Sequence, residues 1–549
     1  MLVADDIADA LISIGVRHVF GVGGANIEDL FAAVQRRRPQ LRAVLTKHEH
    51  AAGAAADAYA RLTGSVGVVL TTSGGGAMNI VHALAEARAS RVPLLAVVGE
   101  PPRELQGVGA FQDTSGRNGA IDAAAVFGPV SVFCRRVTGI DDVRPTFEAA
   151  LAAARGRIPG PAVLLLSKDL QSAESQPRPV RAAPEDTSMK RVDETGLARA
   201  LRIMRSGPIV VIAGDQVARR GAADDLARLV DRLDASVCVT PDGRDAFDNL
   251  DPRFLGVSGA MGHGAVATAL DGAAACLLVG TRLPVLARMG LEKLLRERPL
   301  VALAGEAPFF SSSSPECIHL DGDLRTNLER LAAALPDSRP AGKLRAHAAD
   351  RPAQTTETWS ASQVASAVGR SLDANSVVVA DAGNTGAEAV HHINLPRGGR
   401  WLLAMGMAGM GWSFGAAVGA ACATARRCTV LAGDGAFFMH GLEVHTAIEH
   451  ALPITFVVFN NRAHGMCLVR ERLLLGRESG YNSFGVAHIG AGLAAMFPGL
   501  PAWDCSSLAA LEAALGRARE TQGPALIVAE LPAVDVPPFL AFRASGGSR

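Results

Sequence analysis

Short apolar runs alternate with stretches of helical periodicity from the first residues onward. Runs at 16–21, 41–45, 66–70, 94–98 and 162–166 have the length of buried strands, and two of them end in glycine turns, Gly21-Val22-Gly23-Gly24 and Thr71-Thr72-Ser73-Gly74-Gly75-Gly76. Between them, 27–35 and the alanine-rich 48–62 read as helices, and a further helix leads to Pro93. Strands separated by helical patterns predict a parallel sheet with helices on both faces.

The pattern restarts twice. A second unit has runs at 209–213, 236–240, 275–280 and 300–303, and closes at His319-Leu320-Asp321-Gly322-Asp323. A third opens with a helix capped by Ser360, continues through runs at 377–380, 429–432 and 454–459, and ends near 525–529. Stretches rich in Pro, Ser and Arg, from 171 to about 190 and from about 336 to 356, separate the units. The expected architecture is α/β, with three doubly wound parallel-sheet domains over 1–172, 190–335 and 357–535. The tail after Pro537 is expected either to wrap across a neighbour or to be loose. The first and third units echo one another: Ser73 to Pro93 and Gly433 to Pro453 are both 20 apart, each proline leading into a strand.

Composition narrows the function classes. Formal net charge is zero, which argues against the electrostatic footprint of a nucleic-acid binder. Hydrophobic residues make up 49% and charged residues 20%, enough to build large cores. No apolar run is long enough to span a membrane. The N-terminal MLVADDIADALISIG is acidic and helical in period, unlike a signal peptide. The eight cysteines are scattered without a CxxC pair, as expected of free thiols in a reducing cytoplasm.

The most informative chemistry lies in 428–466. A strand ends at Gly433-Asp434-Gly435, a helix follows, and a second strand ends at Asn460-Asn461. Parallel strands joined by a helix bring both ends to one edge of a sheet. Asp434 and Asn461 then share a crevice, where a carboxylate and an amide oxygen beside glycine amides suit a magnesium ion carrying a phosphate ligand. Alone, a GDG triplet or an Asn pair is an ordinary turn; the combination at a separation of 27 residues carries the signal.

That combination resembles the thiamine diphosphate (ThDP) enzymes, in which GDG is followed at about this spacing by an Asn. The resemblance implies Mg2+ ligation by Asp434, Asn461 and the main-chain carbonyl of Ala463. It implies a diphosphate held by Gly433, Gly435, Ala436 and the strand-end turn Gly383-Asn384-Thr385. Glu49, in Thr46-Lys47-His48-Glu49-His50, is similar to the family's strand-end His-Glu, and is expected to activate the cofactor through its pyrimidine N1′. The glycine-rich run 405–411 resembles the family loop under the cofactor's bend. Met410 takes the wedge position, and the Ala408 carbonyl and Met410 amide hold the aminopyrimidine edge. Because the pyrimidine and diphosphate domains of the family meet across a subunit boundary, a homodimer or homotetramer is implied.

Substrate residues are less marked. Gln112, in Gly109-Ala110-Phe111-Gln112-Asp113, resembles the Phe-Gln-acid segment of acetolactate synthases, which contributes a catalytic Gln. The loop containing Gly75 resembles the triple glycine of benzaldehyde lyase. Arg470 stands where acetolactate synthases carry a Trp, so a cation there would suit a polar acceptor; a solvent-facing or Glu471-paired arginine is the plain alternative. His464 and His263 are candidate proton relays, with turn packing as the alternative. Some relatives bind FAD in the middle domain, where this sequence carries no fingerprint for it. The implied activity is an acetolactate synthase-like carboligase that decarboxylates a pyruvate-like 2-oxo acid and joins the acyl unit to a carbonyl acceptor. A non-ligating decarboxylase, an acyloin lyase and a catalytically silent binding homologue are the alternatives.

Overall fold

The computed structural model describes residues 1–176, 193–310, 314–336, 359–533 and 535–538. Both expected linkers and the end of the C-terminal tail lie mostly outside these residues. The remainder forms three six-stranded sheets in which every pairing is parallel.

The first sheet runs Arg42–Leu45, His18–Gly21, Gly67–Thr71, Leu94–Glu100, Pro161–Ser167, Phe133–Arg136. The third runs Arg400–Leu403, Val377–Ala380, Cys428–Gly433, Ile454–Asn460, Ala525–Glu530, Ala502–Cys505. Counted in chain order within each sheet, both read 2-1-3-4-6-5, so the sequence echo reflects one shared topology. The middle sheet runs Cys317–Leu320, Leu300–Leu303, Ala275–Val279, Ile209–Ala213, Ser236–Val239, Phe254–Val257. Read from the opposite edge its order is 3-2-1-4-5-6, that of dinucleotide-binding sheets, but the turn after its first strand is Gly214-Asp215-Gln216, without a glycine fingerprint.

Four strands had no clear signal in the sequence: Phe133–Arg136, Phe254–Val257, Arg400–Leu403 and Ala502–Cys505. Each is only four residues long and sits at a sheet edge. An edge strand pairs on one side only, so it is not held to an apolar run as a central strand is. Phe133–Arg136 has no fully buried residue, and Phe254–Val257 is broken by Gly256 at φ +98. The central strands, by contrast, are buried along nearly their whole length, as in Pro161–Ser167 and Ile454–Asn460.

The first and third domains are joined by two helices of small residues, Glu49–Thr63 and Trp412–Thr424. A Cβ on Gly419 would stand 1.9 Å from the Ala55 carbonyl oxygen, and one on Gly415 would stand 2.5 Å from that of Ala51. Glycine at these positions lets the two backbones touch, and one hydrophobic core runs through the seam from Ala52 and Val69 to Trp412 and Phe456. Among the described residues, no helix is long and apolar enough to cross a membrane.

Candidate active site

In the third sheet the chain reverses its direction of winding between Val377–Ala380 and Cys428–Gly433, and ligands bind at the carboxyl ends of strands at such a point. A cavity of about 120 Å³ lies there, lined by Asn384, Thr385, Met410, Asp434, Asn461 and His464 among others. Gly433 pairs with Phe459 in the ladder, so Asp434 and the Asn460-Asn461 turn emerge side by side.

Asp434 is 1% exposed. Its Oδ1 accepts the Gly435 amide at 2.9 Å, while Oδ2 is buried with no hydrogen-bond partner. Burial pushes its pKa up to about 6, against the pull of the amides of Gly435, Arg462 and Ala463. The two asparagines divide their work. Asn460 is buried and tied to Glu530 at 2.8 Å, whereas Asn461 lines the cavity and accepts the Ala463 amide at 3.2 Å. A Cβ on Gly465 would meet the side-chain amides of Asn461 and Asn384 at 2.7 and 3.1 Å, so the absence of a side chain lets both converge. Asn384 Oδ1 is also buried without a partner.

An unpaired buried carboxylate oxygen costs several kcal/mol. It shares its cavity with a second orphaned oxygen, Asn384 Oδ1, and oxygen donors of this kind would suit a hard cation such as Mg2+. Among the described residues no three His, Cys, Asp or Glu groups converge on a metal position; a cation in this cavity would find one carboxylate, Asp434, supplemented by amide and main-chain oxygens. Gly435, Ala436 and Thr385 line the same cavity, as a diphosphate would require.

Three carboxylates that sequence reasoning left without a role hold the surrounding loops. Asp381 is buried and accepts the amides of Ala382 at 2.9 Å, Gly411 at 3.0 Å and Ser413 at 3.0 Å, tying the Met410 loop to the strand end. Burial raises its pKa in spite of these donors. Glu443, from the third domain, accepts the amides of Lys47 at 2.9 Å and His48 at 3.1 Å, just before Glu49. Glu86, from the first domain, accepts the amides of Gly406, Met407 and Ala408. Only their acceptance of main-chain amides across long sequence separations reveals them, and that is invisible in a linear pattern.

Glu49 begins the helix Glu49–Thr63, whose N-terminus is capped by His48. It is half-buried, and its Oε2 accepts Asn79 Nδ2 at 2.8 Å. No first-domain residue lines the Asp434 cavity, so Glu49 and the candidate metal ligands stand apart within one chain. Gln112 has φ +58 and packs on Gly74, where a Cβ would stand 2.8 Å from that of Gln112. This contact requires glycine at 74, while Gly75 faces open space. Ala408 is exposed with φ +54. His464 packs edge-on against Phe484, ring centroids 4.6 Å apart. Arg470 is exposed at the end of the helix Gly465–Arg470 and does not line the cavity. His263 lies elsewhere, stacked on His391 at the seam of the middle and third domains with centroids 4.2 Å apart, and its Nδ1 accepts the Val257 amide.

Three family models match in chain order: the N-terminal TPP binding domain of thiamine pyrophosphate enzymes over 1–120, their central domain over 198–331 and their C-terminal TPP binding domain over 381–529. The chain is 27% identical over 511 residues to a probable acetolactate synthase large subunit of Methanocaldococcus jannaschii, covering 86% of this chain and 83% of that protein. It is 28% identical over 505 residues to acetolactate synthase isozyme 3 large subunit of Escherichia coli, covering 87% and 85%. A putative thiamine pyrophosphate-containing protein of Bacillus subtilis is 25% identical over 465 residues, covering 82% and 78%.

Proposed function

The chain belongs to the thiamine pyrophosphate enzymes, and from that footing we propose that it is a Mg2+-dependent carboligase that decarboxylates a 2-oxo acid and joins the acyl unit to a carbonyl acceptor. The observation that carries the site assignment is Asp434, a desolvated carboxylate with an orphaned oxygen beside Asn461 at the switch point of the third sheet. Two of the three relatives described are named acetolactate synthase large subunits, which supports a pyruvate-like donor and ligation over simple decarboxylation.

When bound, ThDP supplies an acidic thiazolium carbon able to add to carbonyl carbons and a 4′-amino group that serves as its base. In this proposal Asp434, Asn461 and the Ala463 carbonyl hold Mg2+. The Gly435 and Ala436 amides, Asn384 and Thr385 take the diphosphate oxygens. Met410 presses under the bend, and the Ala408 carbonyl and Met410 amide hold the pyrimidine edge. Glu49 holds a proton at pyrimidine N1′, favouring the tautomer in which the 4′-nitrogen accepts one. Gln112, Gly75 and His464 form the substrate side.

Glu49 completes the site from a second copy of the chain. In support, it is separate from the Asp434 cavity, and apolar side chains are exposed on both domains: Val108 and Phe111 on the first, Phe438 and Met439 on the third. Phe111 is 80% exposed, an unusual position for that side chain in a lone chain.

The test is product analysis by mass spectrometry, with CO2 release, after incubating the protein with ThDP, Mg2+ and paired 2-oxo acids and aldehydes. A ligated 2-hydroxy ketone or 2-hydroxy-2-alkyl-3-oxo acid is expected. Free aldehyde alone would support the decarboxylase reading, and cleavage of acyloins the lyase reading. Neither CO2 release nor acyloin cleavage across the panel would overturn the enzyme assignment.

A further inference from the structure

The helix Val81–Ala89 in the first domain presents a stripe to the third domain of the same chain. His82, Glu86 and, just beyond the helix, Ser90 are spaced four apart and share one face. Along that face runs the glycine-rich segment 406–409. A Cβ on Gly406 would stand 2.7 Å from the Ala89 Cβ and 3.0 Å from Ser90 Oγ, and one on Gly409 would stand 1.8 Å from His82 Cε1. Between these contacts the Glu86 carboxylate accepts three consecutive amides: Gly406 at 3.1 Å, Met407, and Ala408 at 3.2 Å. Ser90 Oγ donates to the same carboxylate at 2.6 Å.

Three successive N–H groups reach one anion only if the backbone folds around it, and this fold puts Ala408 at φ +54. Side chains are disfavoured there, so the segment needs an outside hold. Glu86 is 1% exposed and is paired with the buried Arg61. Arg61 also binds Asp57 and lies over the ring of Trp412, 5.4 Å from its centroid. Burial works against the Glu86 charge, but Arg61 and the loop amides outweigh it and hold its pKa below the usual range.

We propose that Glu86 is a positioning residue for the cofactor: it sets the left-handed turn at Ala408, and through it the Ala408 carbonyl and Met410 that face the aminopyrimidine. This rests on the reading of 406–410 as the cofactor-edge loop. The arrangement has a counterpart in Glu443 of the third domain, which holds the amides preceding Glu49. Each domain thus uses a buried carboxylate to shape the other's contribution to the site.

The test compares wild type with Glu86→Gln, which keeps the shape but removes the charge and turns an N–H toward the loop amides. Hydrogen exchange of the peptide covering 405–411 in the apoprotein is expected to speed up by at least about tenfold, since charge-assisted hydrogen bonds to those amides are lost. ThDP affinity with Mg2+ is expected to fall by about tenfold or more for the same reason, with a changed near-ultraviolet circular dichroism band of the bound cofactor. Adding Ala408→Gly, which adopts a positive φ without strain, should recover part of the affinity. Should Glu86→Gln not fold, Ser90→Ala is expected to move exchange and affinity in the same direction by a smaller factor. Lowered thermal stability with exchange at 405–411, affinity and dichroism unchanged would reduce Glu86 to a purely structural ion and overturn the proposal. Wild type that takes up no ThDP would overturn the underlying reading and this proposal together. Wild type and variant that bind equally would overturn this proposal alone.

Discussion

The Cε1 edge of the His82 imidazole abuts the backbone at Gly409, so close that a Cβ there would stand 1.8 Å from Cε1 and 2.3 Å from Nε2. A contact between the first and third domains of one chain therefore dictates a glycine in the Met-Gly-Met-Ala-Gly-Met run. Gly409→Ala is expected to destabilise the fold by about 1–3 kcal/mol, the usual cost of overpacking, and to weaken ThDP binding. The double variant His82→Ala, Gly409→Ala should regain most of both. Thermal unfolding and cofactor titration of the two variants check this. A double variant no better than the single would place the requirement for glycine elsewhere.

Glu49 accepts Asn79 Nδ2 and lies beside Gly76, where a Cβ would stand 3.0 Å from its Oε1, and the amides just before it are bound to Glu443. Glu49→Gln is expected to leave ThDP binding within a few-fold and to lower kcat by roughly 10²- to 10⁴-fold, the range for losing a positioned proton carrier. Calorimetric titration with ThDP and steady-state rates measure the two separately. Turnover near the wild-type value would remove Glu49 from its role.

Asp434 has a carboxylate oxygen with no partner, and burial lifts its pKa from 3.8 to about 6. At neutral pH, holding that charge in the apoprotein costs about 2–3 kcal/mol. Asp434→Asn is therefore expected to make the apoprotein more stable while reducing Mg2+-dependent ThDP affinity by about 100-fold or more, since one cation ligand loses its charge. Urea unfolding without cofactor, paired with ThDP titration at fixed Mg2+, tests both halves. A destabilised apoprotein would mean that Oδ2, like Oδ1, already has a structural partner.

Five histidines carry pKa values depressed chiefly by burial: His50 and His263 to about 3, His18 and His440 to about 4, and His450 also below its ordinary value. His50 is stacked against His82 and tilted onto His440, with His48 close by, and neither of its ring nitrogens has a partner. Unfolded, such groups titrate near 6.5. The unfolded chain thus binds protons that the folded chain refuses, so stability is complete above pH 6.5 and declines as pH falls from 6.5 towards 4. Buried carboxylates whose pKa is raised, such as Asp381 and Glu443, oppose this trend. The histidine contribution is therefore read as a difference: between pH 7 and 5, wild type should lose more of its urea midpoint than His50→Phe does. Parallel curves would show that His50 does not titrate on unfolding.

The sequence determined the layers and the meeting of Asp434 with the Asn460-Asn461 turn at one sheet edge. Central strands of a parallel sheet are buried on both faces, so Val377–Ala380, Ile209–Ala213 and Leu300–Leu303 stand in the chain as uninterrupted apolar runs. The GDG and Asn-Asn turns could be placed together because a strand, helix and strand in succession bring their ends to one edge. Short edge strands carried little signal, and the linkers and tail lie largely outside the described residues.

Tertiary structure alone decided the rest, because it depends on groups hundreds of residues apart. It distinguished Asn461, facing the cavity, from Asn460, fixed to Glu530. It moved His263 into a stack with His391 and left Arg470 on the surface. It also gave roles to Asp381, Glu86 and Glu443. A carboxylate that accepts main-chain amides makes no demand on side-chain identity at the donor end, so no residue pattern announces it, and only the folded backbone brings those amides to it.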